Sequence, residues 1–357
     1  NANLTFEGPQ YQAHLDLQEA EGLLNLNAKL NASTLAYEAD LLVDSLELTH
    51  FLPQHSLSLL TTTIKASGKG FDLASPKTKA DIQAVLNHLH YGHWKFDKMQ
   101  MHAGLNQSVA SLKVDSDNEL LKLKLDGNMR FDRTYLDGTL DMDVNQVDLY
   151  GLGIAPKPLK RPFAFTVASE ARHDSVKLQL NAGDMNFRFR ARSTLKKMIE
   201  QGNEFATLLM QQIDERKLNH AALRELMPSA GFHLKAGKDN PISYFLATKD
   251  ISYDDFRLSF GLTPQTGING RASVHGFRMD SLQMDTIYIL TKQDTTHLRL
   301  QAGIINAPGH PHVAFNASLT GEVRNDDAEL LLNFTDGNGE TGINFGLNAR
   351  PLTEGNG

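Results

Sequence analysis

Side chains that alternate one by one in polarity commit a backbone to extended strand. Residues 120–152, LLKLKLDGNMRFDRTYLDGTLDMDVNQVDLYGL, do so over almost their whole length. Leu121, Leu123 and Leu125 alternate with Lys122 and Lys124. Met129 and Phe131 follow Gly127, and Leu140, Met142 and Val144 follow Asp137-Gly138. A period of two puts each set on one face of a strand. The Asp-Gly pairs at 126–127 and 137–138 read as tight turns that lay these strands side by side as hairpins. At Asn145-Gln146 the alternation slips by one before Val147 and Leu149, as it does at a bulge where a sheet bends.

The same unit recurs along the chain. Leu24, Leu26 and Leu30 share one side of a run, and Leu178 and Leu180 share one side of another. Leu298 and Leu300, then Val313 and Phe315, then Leu330 and Leu332 repeat the pattern toward the C-terminal end. One-sided alternation of this kind means antiparallel sheet with one wet face. A finer phrase lies inside it. VDSLELTHF (43–51), LNHLHYGHW (86–94) and VHGFRMDSL (274–282) carry apolar residues at positions 1, 4, 6 and 9, and VNQVDLYGL (144–152) matches except at Tyr150. Such a phrase reads as a strand whose alternation slips by one residue at each end.

One segment loses the period of two. In 194–227, Leu195, Met198, Ile199, Phe205, Leu208, Leu209 and Ile213 recur at three and four, which predicts an amphipathic helix. Asn219 is placed to cap a second short helix that Pro228 stops. Lys196, Lys197, Glu200 and Glu204 bar the first helix from crossing a bilayer. The expected organisation is a β-rich segment at 1–192, a helical insert at 193–228 and a β-rich segment at 229–357. The chain opens on Asn1 with strand pattern at once, and it reads as a portion of a longer protein.

Composition narrows the function classes. The net charge of −7 at pH 7 argues against a nucleic-acid partner, and the absence of cysteine excludes disulfides and Cys-based metal sites. His88, His90 and His93 form HxHxxH, but the third ligand is awkwardly spaced and no carboxylate sits at a fixed offset, so no metal is expected there. His310 and His312, which flank Pro311, read as loop residues. Asp336-Gly337-Asn338-Gly339-Glu340 begins like a calcium loop, yet Leu347 stands at the twelfth position, where a bidentate Glu is needed, so a hairpin turn is expected. Asn325-Asp326-Asp327 reads the same way. No GxSxG, GxxxxGK[ST], HExxH or GxGxxG after a strand occurs. The reading is therefore of a non-enzyme without a cofactor.

Roughly fifteen amphipathic strands pose the question of what covers their apolar faces. The succession of short alternating strands, with the phrases VDSLELTHFLP, GKGFDL and GNMRFDRTYLDGTLDMDVNQVDLYGL, resembles the TamB and AsmA-like proteins of diderm bacterial envelopes. The resemblance implies an all-β, long curled antiparallel sheet, a taco-like trough with a hydrophobic groove. It also implies a periplasmic body anchored in the inner membrane. The implied task is phospholipid transport between the two membranes, assistance to outer-membrane protein assembly, or both. Phospholipid or another acyl-chain lipid would be the ligand. An outer-membrane β-barrel assembly protein would be met through regions outside this segment. The apolar positions named above would line the groove. The helical insert departs from the family's continuous strand pattern and puts one uninterrupted groove in question. The alternative is a structural or adhesive β-sandwich or solenoid that binds protein or glycan through its outer surface.

Overall fold

The computed structural model describes residues 1–51, 56–132, 135–215, 218–306, 315–325, 327–336 and 340–349. The fold is open, antiparallel and all-β with a helical insert: 64% of residues lie in strands and 11% in three helices. The chain divides into two compact units, Asn1–Ala171 and Arg172–Gly357.

The first unit is a plain meander of eleven strands. They are β1 (Ala2–Glu7), β2 (Gln10–Glu19), β3 (Gly22–Asn31), β4 (Ala36–Glu47), β5 (Leu57–Lys69), β6 (Lys79–Tyr91), β7 (Trp94–Asn106), β8 (Val109–Asp117), β9 (Leu121–Phe131), β10 (Leu136–Val147) and β11 (Phe163–Ala171). Each pairs antiparallel with the next in sequence. Most consecutive strands are joined by two to four residues, which leaves antiparallel pairing of neighbours as the local solution; the connection from β10 to β11 is the longest.

The second unit opens with β12 (Val176–Ala182) and β13 (Met185–Ala191), followed by helices α1 (Leu195–Asp214) and α2 (His220–Glu225). Next come β14 (Ala230–Ala236), helix α3 (Pro241–Ala247) and β15 (Ile251–Ser252). The remaining strands are β16 (Asp255–Thr263), β17 (Gly267–Met279), β18 (Leu282–Gln293), β19 (Leu298–Ile305), β20 (Phe315–Val323), β21 (Ala328–Asp336) and β22 (Thr341–Ala349). They again pair in order, except that β14 pairs with β16, and β15 extends the line of β16 along β17.

The Asp-Gly pairs are not turns. Gly127 lies inside β9 and Gly138 inside β10, and the connection runs through 132–135, where the Asp132 N–H donates to the Tyr135 carbonyl at 3.2 Å. The reason is visible in the numbering. Leu121, Leu123, Leu125, Gly127, Met129 and Phe131 are all odd, so one alternation passes straight through the glycine. A Cβ at Gly127 would stand 3.0 Å from Leu140 Cδ1, so the missing side chain makes room for a cross-strand leucine.

The slipping phrase is real, with one half of it reassigned. The first slip is a backbone irregularity in all four copies. The register shifts between Val43 and Leu46, with Ser45 at φ +50°. It shifts again at Leu86/His88, where the facing Lys98 has φ +51°. It shifts once more after Val144, and Gly276 adopts φ +62° in the fourth copy. Side chains satisfy backbone groups freed there: the Ser45 N–H donates to Thr61 Oγ1 (2.9 Å), and the Asp285 N–H opposite Gly276 donates to Asn306 Oδ1 (2.9 Å). The second slip is where the strand ends, in a 3₁₀ turn at Leu48–His50 and in turns at 92–93, 148–151 and 280–281.

The second helix of the insert has its predicted cap, and the first has a cap that the sequence reading did not name. Thr194 accepts from the Lys197 N–H (3.1 Å), and Asn219 accepts from the Ala222 N–H (3.0 Å). Helix α3 was not anticipated, although Asn240 caps it by accepting from the Ser243 N–H (3.0 Å) and Pro241 occupies its first turn.

Candidate functional site

Residues directly opposite on antiparallel strands point to the same side, so the pairing registers trace rows across each face. In the first unit one row reads Ala2, Leu15, Leu26, Leu41, Ile64, Ala84, Met101, Val114, Leu125, Met142, Val167. It crosses all eleven strands without one polar side chain. In the second unit Leu180, Phe187, Leu234, Leu258, Ala272, Ile289, Ala302, Leu319, Leu332 and Phe345 do the same over ten strands. No residue of either row is buried, and Met101 (38%), Ile289 (44%) and Phe345 (57%) are plainly exposed.

The ends of these faces are closed while their middles are open. In the first unit the most deeply buried apolar side chains sit beside the bulges, namely Val43, Leu46 and Val144 at 2% exposure each. Leu105 and Ala171 are buried at the other strand ends. In the second unit Ala182, Met185 and Ala236 are buried at the α3 end, and Ala191, Leu223 and Met227 at the α2 end. The chain exposes 22018 Å², whereas a compact protein of this mass exposes roughly 14,000 Å².

A buried histidine fixes the α2 end. His220 is 1% exposed. Its Nε2 donates to the Val323 carbonyl at 2.9 Å, and its Nδ1 accepts from Gln293 Nε2 at 3.1 Å. Gln293 Oε1 in turn accepts from the Ile268 N–H (3.1 Å), which fixes the amide so that it offers a donor to the ring. Burial pushes the His220 pKa down, against the raising effects of the Val323 bond and of Asp294. Asp294 itself is held well below the usual carboxylate range by the Thr296 and His297 N–H groups that it accepts from. Arg224 of α2 donates to the Pro264 carbonyl (3.1 Å) and to that of Gln265. The insert therefore caps one end of the second unit's face.

The expected lining residues fall as follows. Leu26, Leu125 and Met142 stand on the first unit's unbroken row. Leu24, Leu123 and Val144 stand one step toward the bulged end, with Val144 already buried, and Leu121 pairs with Val147 beyond the bulge. Leu140 and Leu30 lie toward the other end. Leu180 and Leu332 stand on the second unit's row, and Leu178, Leu300 and Leu330 on its neighbour, which Thr291 interrupts. Leu298 faces Gln293 and Val323 at the α2 end, and Phe315 stacks on Phe334 at 5.1 Å. Val313, His310 and His312 lie outside the described residues. His88 and His90 are wet-face positions of β6, and His93 packs on Trp94 with ring centroids 4.9 Å apart.

Shallow, open grooves lie on the opposite, wet faces. One of about 900 Å³ has walls of alternate residues, Gln83 with Val85, Gln100 with His102 and Lys113 with Asp115, continuing to Thr166 with Ala168. The backbone of the apolar row forms its floor. Around it Lys113–Asp126 (3.3 Å), Lys124–Asp115 (3.8 Å) and Lys122–Asp117 (3.2 Å) pair across β8 and β9. Among the described residues no group of His, Cys, Asp or Glu is arranged to hold a metal ion, and no helix is long and apolar enough to cross a membrane. Comparison with protein-family models, with curated proteins and with solved structures finds no match to this chain.

Proposed function

We propose that the chain is a passive carrier of acyl chains, an interior periplasmic segment of a TamB-like protein that moves phospholipid between the inner and outer membranes or assists outer-membrane assembly. The observation that carries this reading is the pair of unbroken apolar rows whose middles no part of their own unit buries. The lining is Leu, Ile, Val, Met, Ala and Phe, which suits flexible hydrocarbon. No group has to react. An acyl chain laid on the face loses water contact at about 0.8 kcal/mol per CH₂. Charge on the row then blocks it. Native mass spectrometry of gently purified wild-type protein is expected to detect bound phospholipid. Leu125→Asp and Ala272→Asp should lose it, while the wet-face Asn128→Asp keeps it. A lipid-free wild type, or equal retention in all four proteins, rejects the proposal.

A further inference from the structure

The wet face of the second unit carries an arrangement that folding does not call for. Strands β12–β19 hold nine lysines and arginines, all exposed, against two carboxylates, Asp255 and Asp285; one of the nine, Arg278, is taken up by Asp254 just before β16 (2.8 Å). Three cation pairs stand directly opposite one another: Lys177 with Arg190, Lys235 with Arg257, and Lys292 with Arg299. Like charges so placed destabilise a sheet. No Lys or Arg on these strands faces a carboxylate directly across a ladder between them. The first unit is mostly the reverse, with Lys29 opposite Glu38, Lys65 opposite Asp40 and Lys113 opposite Asp126. Relief for the second unit is partial. Asp255 takes up Arg257 (2.7 Å), and Glu322 on the neighbouring strand takes up Arg299 (3.5 Å). Arg188, Arg190, Lys235, Arg271 and Lys292 have no ion-pair partner among the described residues.

We propose that this wet face, over β12–β19, is a docking surface for the phosphate headgroups of an anionic bilayer. The array is two-dimensional. Six inter-strand steps of about 4.8 Å spread the cations over roughly 29 Å, and successive wet positions along one strand add the second direction. A plane of headgroups matches such a field, while a single polymer strand would meet only part of it. Gly231 and Gly261, directly opposite each other between Arg190 and Asn269, leave a floor bare of side chains where a headgroup can approach the backbone. Tyr288 is the one Phe, Tyr or Trp at these wet positions, so bases and sugar rings find no stacking platform. The surface is on the side away from the second unit's own apolar row and does not depend on what that row binds.

Flotation with phosphatidylcholine vesicles, with and without phosphatidylglycerol, tests it on the whole chain. The protein should bind only the anionic vesicles. Binding should fall as salt rises from about 0.1 M to about 1 M, which shrinks the Debye length from about 10 Å to about 3 Å. Neutralising one cation, as Arg190→Gln, Arg271→Gln or Lys292→Gln, should lower the partition coefficient about fivefold, the factor that matches about 1 kcal/mol per basic residue. The melting temperature should hold or rise, because repulsion is removed, so lost binding is not lost folding. Lys65→Gln in the first unit should leave binding unchanged. Equal binding to neutral vesicles, or wild-type binding by a variant that combines Arg190→Gln, Arg271→Gln and Lys292→Gln, overturns the proposal. So does loss of binding with Leu125→Asp but not with the cation variants, which would assign it to the apolar face. Retention of the wild type by single-stranded DNA without vesicle binding also overturns it, in favour of a nucleic acid.

Discussion

His220 shows how one residue decides whether an end of the second unit stays shut. Its two ring nitrogens face a carbonyl and an amide NH₂, and only the neutral Nε2–H form satisfies both. Its pKa is lowered on folding, so the unfolded chain binds the proton more tightly. Stability from this contact is therefore full above the unfolded value of about 6.5 and drains away as pH falls through and below it. Amide hydrogen exchange should report this locally. Protection of the α2 amides should drop between about pH 7 and pH 5, while that of β8 and β9 stays constant. Uniform change across the chain, or none in α2, refutes the role. His220→Ala takes the ring partner away from the Gln293 NH₂ and the Val323 carbonyl in a buried place and should cost about 2–3 kcal/mol in urea unfolding.

Strands and their irregularities were more legible than connections. The alternation of Leu121 to Phe131 named a face correctly because the period of two is imposed by covalent geometry, whatever packs on it. The slip in VDSLELTHF and its three relatives located the bulges for the same reason: an inserted residue must show as a lost beat. Asp126-Gly127 misled because a glycine chosen to admit Leu140 is identical in sequence to a glycine chosen for a turn. β6 and β7 were hidden in part because Asn87 and Lys98 break the alternation from both sides at once. The Gln293–His220 contact spans 73 positions and leaves no local trace. The cation pairs of the second unit's wet face likewise needed the registers before they could be seen. The bulge geometry can be checked directly. Ser45 holds a left-handed φ of +50° that a β-branched residue resists. Ser45→Val should destabilise by about 1–2 kcal/mol while Ser45→Gly is close to neutral. A tolerated valine would mean that the backbone there is ordinary strand.

At the level of the whole chain, the open faces set the thermodynamics. With 22018 Å² already exposed when folded, unfolding uncovers less new surface than in a compact protein of equal mass. Scaling of accessible area with mass puts the deficit at roughly a fifth, and the urea m-value tracks that area. The m-value of lipid-free protein, summed over its transitions, should fall short by about the same fraction. A value typical of a compact protein of this length would show that the faces close in solution. The alternation of residues foretells an antiparallel sheet with a wet side, yet it cannot foretell how little of the dry side is covered. Coverage depends on what lies beyond each strand's own neighbours, and an amphipathic strand has the same pattern under a second layer or under none.

The eleven-strand row in the first unit has a consequence for motion. Its chemistry repeats at every inter-strand step of about 4.8 Å, with no charge, no buried pocket and no aromatic cage to single out one strand. An apolar guest lying on it exchanges one set of methyl contacts for an equivalent set whenever it advances by a strand. The free-energy profile along the row is then a shallow ripple instead of a series of wells, and residence at any one strand is brief. Such a surface holds its guest firmly against leaving for water and hardly at all against sliding.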